Sequence, residues 1–425
     1  MSEGSTGAAA ADVVTEVAGA AASAATTWRR AGIAGAAIGV IAAGAAAGVA
    51  LERLTVGRGM RKKARLALDA SGPYGSLRGM PGKAYADDGT ELAYEVEEVD
   101  DLHLPADAEA DAGAAGRGRG PEEGARGSRQ WRRLFGRKTP APVTVVFSHG
   151  YCLGQDSWHF QRAALRGAVR CVYWDQRSHG RSGRGVDQRQ DGRPVSIDQL
   201  GRDLKAVVDA AAPEGPLVLV GHSMGGMTTM ALADQFPDLI RERVVGVVLI
   251  GTSSGRLGEV NFGLPVAGMN AVRRVLPGVL KALGSQADLV EKGRRATADL
   301  FAGIIKRYSF ASRDIDPAVA RFAERLIEST PIDVVAEFYP AFAEHDKTAA
   351  LEHFAGLPVL VLAGDKDLVT PSEHSEAIAD LLPDAELVLV PDAGHLVMME
   401  HPEVVVDRIA DLLVRAKEQV RDAAM

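Results

Sequence analysis

Leu217-Val-Leu-Val-Gly-His-Ser-Met-Gly-Gly226 decides the fold. A short apolar run, Leu217–Val220, passes directly into Gly-x-Ser-x-Gly, and a helix-length segment, Thr228–Phe236, follows. A strand that turns sharply into a helix strains the residue at its tip, and bulky neighbours there would collide with both elements. Gly221 and Gly225 leave that room, so Ser223 is expected exposed on the turn at the helix N-terminus. The pentapeptide alone is common in proteins; the strand before it and the helix after it supply the specific context.

The same rhythm runs outward in both directions. Val143–Phe147, Val169–Trp174, Val244–Ile250, Val359–Leu362 and Leu387–Val390 are further short apolar runs rich in β-branched residues. Such runs suit strands buried on both faces of a parallel sheet. Helix-length segments such as Ile197–Ala211 separate most of them, which implies βαβ units and an α/β class, with a doubly wound, mostly parallel sheet. Upstream, Tyr85–Val96 predicts a β-hairpin turning at Asp88-Gly89. Between Ser253 and Ala350 the alternation stops and helical patterns such as Leu276, Leu280 and Leu283 take over, so a helical cap over 253–350 is expected.

A serine hydroxyl needs a base to become a nucleophile at neutral pH. His149, His179, His222 and His395 all fall near strand ends. His222 adjoins Ser223 but points differently on the turn; His149 and His179 lie in turn-like segments and suit structural roles. His395, in Pro391-Asp-Ala-Gly-His395, lies on the loop after the last strand, where the order Ser…Asp…His requires the base. The acid must lie between them. Leu360-Val-Leu-Ala-Gly-Asp-Lys-Asp367 ends a strand and offers Asp365, which follows the glycine and suits the turn itself, and Asp367, which reaches further out. Asp367 is the expected partner of His395. Thr370-Pro-Ser-Glu373 has the arrangement of a capping box, so a helix should start there. For a developing oxyanion, backbone donors are expected at Met224, after the nucleophile, and at Tyr151 on the loop following Val143–Phe147, with Cys152 N–H as the alternative.

Taken in order, Asp88-Gly89-Thr90, His149-Gly150, Asp175…Gly180-Arg181-Ser182, Gly221-His-Ser-Met-Gly225, Gly364-Asp-Lys-Asp367 and Gly394-His395 resemble the α/β-hydrolase superfamily, from about Ala84 to Val414. The resemblance implies hydrolysis of an ester or related acyl bond of a small-molecule substrate through an acyl-enzyme, without a cofactor. Serine at 223 sets aside the aspartate-nucleophile branches. Acyl transfer, a cofactor-free haloperoxidase-like activity, and a non-catalytic receptor on the same fold are the alternatives.

Composition excludes other classes. With a net charge of −8, the chain lacks the basic footprint that nucleic acid requires. Cys152 and Cys171 are too few for a disulfide framework, and no cluster has zinc-site spacing, so no metal is expected. The N-terminal part departs from the family. Residues 1–80 comprise an Ala/Ser/Thr/Gly-rich leader, an uncharged stretch over 31–51 long enough to cross a bilayer, and a basic linker, ahead of a hydrolase domain over 81–425. The stretch is only weakly apolar, with ten Ala and five Gly among its 21 residues. Basic residues from Arg53 to Arg65 follow it, which predicts a membrane anchor with a cytoplasmic catalytic domain. A twin-arginine export signal at Arg29-Arg30, or a soluble Ala/Gly-rich segment, are its rivals. Pro105–Pro142 has no apolar periodicity and is expected to be a flexible surface insertion over 105–142.

Overall fold

The protein is described from a computed structural model that covers residues 74–99, 142–257, 260, 298–312 and 314–423. The anchor expected over 31–51, the insertion up to residue 141 and the pattern Leu276, Leu280 and Leu283 lie outside the described residues. Among the described residues no helix is long and apolar enough to cross a membrane.

Eight strands form one sheet: β1 (Met80–Tyr85), β2 (Glu91–Glu97), β3 (Thr144–Ser148), β4 (Arg170–Trp174), β5 (Leu217–His222), β6 (Val244–Ile250), β7 (Val359–Gly364) and β8 (Glu386–Val390). Their order is β1-β2-β4-β3-β5-β6-β7-β8. From β4 to β8 every pairing is parallel, whereas β2 runs antiparallel to both β1 and β4. The expected hairpin therefore exists and extends one edge of the sheet. Its turn uses Gly89 at φ +82°. Asp88 does more than turn the chain, since its carboxylate pairs with the buried Arg177 guanidinium, which Asp203 also holds.

β3, β5 and β7 are buried at every position because helices cover both faces. In chain order these are α1 (His159–Leu165), α2 (Val186–Gln190), α3 (Ile197–Ala211), α4 (Met224–Gln235), α5 (Pro237–Arg243), then α6 (Ala298–Ser309), α7 (Pro317–Glu328) and α8 (Ile332–Ala343), and finally α9 (Ser372–Leu381), α10 (Val397–Glu400) and α11 (Pro402–Ala423). Helices α6 to α8 form the described part of the cap, between β6 and β7. Helix α3 starts where Ser196 Oγ accepts the Gln199 amide, a side-chain N-cap.

Helix α4 starts directly after Ser223, as expected of the turn, whereas the start of α9 differs from expectation. Helix α4 begins at Met224, four residues before Thr228, and takes in Gly225 and Gly226. These glycines serve close packing rather than a loop: a Cβ at Gly225 would lie 2.1 Å from Ser148 O, and one at Gly226 would lie 2.6 Å from Thr252 Oγ1. Helix α9 begins at Ser372 with Pro371 as its N-cap and no side-chain cap, so Thr370-Pro-Ser-Glu373 is not a capping box. The Thr370 hydroxyl is engaged elsewhere.

The chain leaves β3 toward β4 on one side and returns through β5 on the other. That reversal, at the carboxyl ends of β3 and β5, is the usual ligand position in open α/β sheets.

Candidate active site

Ser223 follows β5 directly at φ +51°, ψ −119°. A non-glycine residue held there stores about 1–3 kcal/mol of strain, which surrounding bonds must offset. Its N–H donates to Ile250 O at 2.9 Å, and its carbonyl accepts from Thr252 Oγ1 at 2.7 Å. The end of β6 thus clamps the turn from beside it. A Cβ at Gly221 would sit 2.4 Å from Gly225 O, so strand and helix meet at a distance that only glycine allows. Ser223 and the loop at Gly150 also touch, since a Cβ at Gly150 would lie 3.2 Å from Ser223 Cβ.

Asp367 follows β7 and His395 follows β8, and β6 separates β7 from β5. His395 Nδ1–H donates to Asp367 Oδ2 at 2.7 Å, which leaves Nε2 with its lone pair. Among the described residues neither Nε2 nor Ser223 Oγ has a hydrogen-bond partner; such contacts are often long without substrate and tighten when it binds. Asp367 is buried, and burial alone would raise its pKa. The His395 imidazole and the amides of Thr370 and Val369 outweigh that and hold the carboxyl below the usual carboxylate range. Those amides reach Oδ1 at 3.0 and 2.7 Å. The Thr370 hydroxyl has one proton for two acceptors, Gly251 O at 2.8 Å and Asp367 Oδ2 at 2.9 Å.

The other expected residues fall into place around this pair. Asp365 is exposed and only its N–H is used, donating to Val390 O at 3.0 Å, so it serves the turn. His222 Nε2–H donates to the carbonyl of His395 at 3.0 Å, tying the two loops together. Burial pushes His222 down to about 3, so it is neutral. His149 accepts the Gln176 amide on Nε2 at 2.9 Å, and its Nδ1–H bonds Gly150 O at 2.7 Å. His179 bonds Arg177 O through Nδ1–H at 2.9 Å and accepts the Cys152 N–H at 3.2 Å. Burial lowers these two to about 4 and about 3 respectively, and their nitrogens are spent on backbone. The Cys152 amide is thereby occupied. The amides of Tyr151 and Met224 donate to no acceptor among the described residues. Tyr151 also carries the cap: its hydroxyl donates to Val335 O at 2.5 Å, and its ring stacks on Phe338 of α8.

Sequence reasoning missed three participants. Thr370 was expected as a helix cap, His222 was set aside for the direction it takes on the turn, and Glu400 was not singled out. Glu400 accepts the Gly394 amide at 2.7 Å, beside His395, and its proximity in sequence was the only available signal.

A family model described as alpha/beta hydrolase fold matches residues 143–402. The chain is 30% identical to the sn-1-specific diacylglycerol lipase ABHD11 of Mus musculus over 272 residues, 63% of this chain and 80% of that protein. A solved thermophilic esterase from Thermogutta terrifontis aligns with a TM-score of 0.55 at 23% identity, covering 79% of this chain and 99% of that one. A bromoperoxidase from Bacillus anthracis aligns at 0.54 with 18% identity, covering 78% and 99%. At such identities the two structures speak for the fold alone.

Proposed function

The chain belongs to the α/β-hydrolase family, and from that premise we propose that it is a serine hydrolase cleaving a carboxylic ester through an acyl-enzyme. The observation that carries the proposal is the strained Ser223 turn set beside the buried Asp367–His395 pair, with the imidazole's Nε2 left to accept a proton. His395 Nε2 takes the Ser223 proton as Oγ attacks the acyl carbonyl. The oxyanion that forms is met by the N–H groups of Tyr151 and Met224. Each such donor is worth roughly 10²–10³ in rate where it has been removed from a hydrolase. Collapse of the tetrahedral species breaks the ester C–O bond, and His395 returns the proton to the leaving alcohol. Water then enters, gives its proton to the same nitrogen, and releases the acid and Ser223. Asp367 keeps the imidazole in the required tautomer and stabilises its charged form.

The diacylglycerol lipase named among the relatives and the aromatic cluster that Tyr151 forms with Phe338 and Phe342 both favour an apolar acyl group. The test has two parts. A fluorophosphonate probe should label the peptide that contains Ser223, and Ser223→Ala should abolish both labelling and p-nitrophenyl ester turnover. A chain-length series of those esters then defines the acyl group. Turnover retained by Ser223→Ala rules out this mechanism.

A further inference from the structure

Both residues that flank His395 are tied to the cap, Leu396 directly and Gly394 through Glu400. Leu396 N–H donates to Ser309 O at 2.9 Å, directly. Gly394 N–H donates to Glu400 Oε2 at 2.7 Å, and the same carboxylate accepts the Ser312 amide on Oε1 at 2.7 Å and the Ala311 amide on Oε2 at 3.2 Å. The two chain segments also touch: a Cβ at Gly394 would lie 2.8 Å from Ala311 N and from Phe310 Cα. Segment Ser309–Ser312 is the end of α6 and the turn that leaves it.

Three backbone amides from two segments therefore converge on one carboxylate. Among the described residues no lysine or arginine pairs with Glu400, so its charge is spent on those amides. Hydrogen bonds to an ionised acceptor are shorter and roughly twice as strong as neutral ones. If the cap segment moves away, Gly394 loses its partner's fixed position and Leu396 loses its acceptor. The imidazole then keeps its bond to Asp367 and the His222 bond to its carbonyl, but neither neighbour is held.

We propose that Glu400 is a positioning residue for the general base, and that through it His395 reaches working register only when Ser309–Ser312 of the cap is seated. The proposal rests on the serine-hydrolase assignment above. It makes the cap a device for switching the base on, as well as a cover over the substrate.

The test compares native protein, Glu400→Gln and Ser223→Ala. In Glu400→Gln one oxygen becomes an NH₂ group that opposes an amide N–H, so at least one of the three amide bonds is lost. With p-nitrophenyl acetate, kcat per site titrated to completion by fluorophosphonate should fall roughly 10- to 100-fold, the scale of a 1 Å misplacement, while KM stays within about twofold. Hydrogen exchange should quicken together in 309–312 and 394–396. An unchanged kcat per titrated site would leave Glu400 a structural stitch and overturn the proposal. Faster exchange in only one segment would overturn the coupling. If Glu400→Gln yields no folded protein, Glu400→Asp, which keeps the charge but falls one methylene short, is read by the same per-site turnover. Ser223→Ala that still turns over brings down the assignment and the proposal together; an inactive Ser223→Ala beside a native-like Glu400→Gln brings down the proposal alone.

Discussion

The Ser223 turn and the His395 loop are both tied into the fold, but by opposite means. Ser223 is held by close backbone packing: Gly221 and Gly225 let strand and helix close on it, and the end of β6 clamps its backbone. His395 is held by separate hydrogen bonds on and around its loop, from Asp367, His222, the cap segment at Ser309 and Glu400. A turn built from close backbone packing tolerates nothing added to it. A loop held by separate hydrogen bonds can lose one and still fold. The two regions should therefore fail differently under the same substitution.

Glycine to alanine is that substitution, and the largest effect is expected at the turn. At Gly225 the new Cβ falls 2.1 Å from Ser148 O and 2.5 Å from Ser148 C, both backbone atoms of the central sheet. Neither can retreat without shifting β3, so Gly225→Ala should cost at least ~3 kcal/mol of stability, the upper end for overpacking, and yield little folded protein. At Gly394 the Cβ meets the cap backbone at 2.8 Å, a segment that lies outside the central sheet. Gly394→Ala should fold with a melting temperature close to native and lose turnover instead, by roughly 10²-fold. Thermal melts beside kcat decide it. Equal losses of stability in the two variants would erase the distinction.

Within the base loop the acid is next in size. Asp367→Asn should leave the fold intact and lower kcat by about 10⁴-fold, because an amide can hold imidazole in the wrong tautomer. Asp365→Asn should stay within about twofold, since the Asp365 side chain is exposed and only its backbone is used. Steady-state kinetics on the two variants would transfer the role if the ranking reversed.

What the sequence disclosed follows the same division. The strand runs, helix α3, the Ser223 turn and the choice of Asp367 over Asp365 depend on short-range rules of periodicity, turn geometry and chain order, and the structure places strands, helix and turn accordingly. Helix α4 starts at Met224, directly after Ser223, where the turn was expected to present the serine at a helix N-terminus. Thr370, by contrast, was misread. A Thr-Pro-Ser-Glu run satisfies the local cap pattern, while its hydroxyl is claimed by Gly251 and Asp367, which only the closed sheet brings near. The bonds from His222 to the His395 carbonyl and from Gly394 to Glu400 are set by how the loops meet, which no spacing rule discloses.

Thr370 carries the smallest of the expected effects and tests the hydrogen-bonded loop one bond at a time. Its hydroxyl is one of four donors to Asp367, with the amides of Val369 and Thr370 and the His395 imidazole. Thr370→Val keeps shape and both amides and removes one donor, so kcat should fall about tenfold, close to the ~1.5 kcal/mol lower bound for a bond to a charged group. Thr370→Ser should restore most of it. The stability cost has a definite pH dependence. The folded Asp367 carboxyl lies below its usual range, because its donors outweigh burial. Such a group contributes stability that is present above its unfolded value, about 3.9, and lost as pH falls through the folded value. Removing a donor shrinks that contribution, so urea melts should separate Thr370→Val from native at pH 7 and bring them together well below pH 4. A separation that persists undiminished in acid would mean that the hydroxyl serves Gly251 rather than Asp367, and its part in holding the base would be lost.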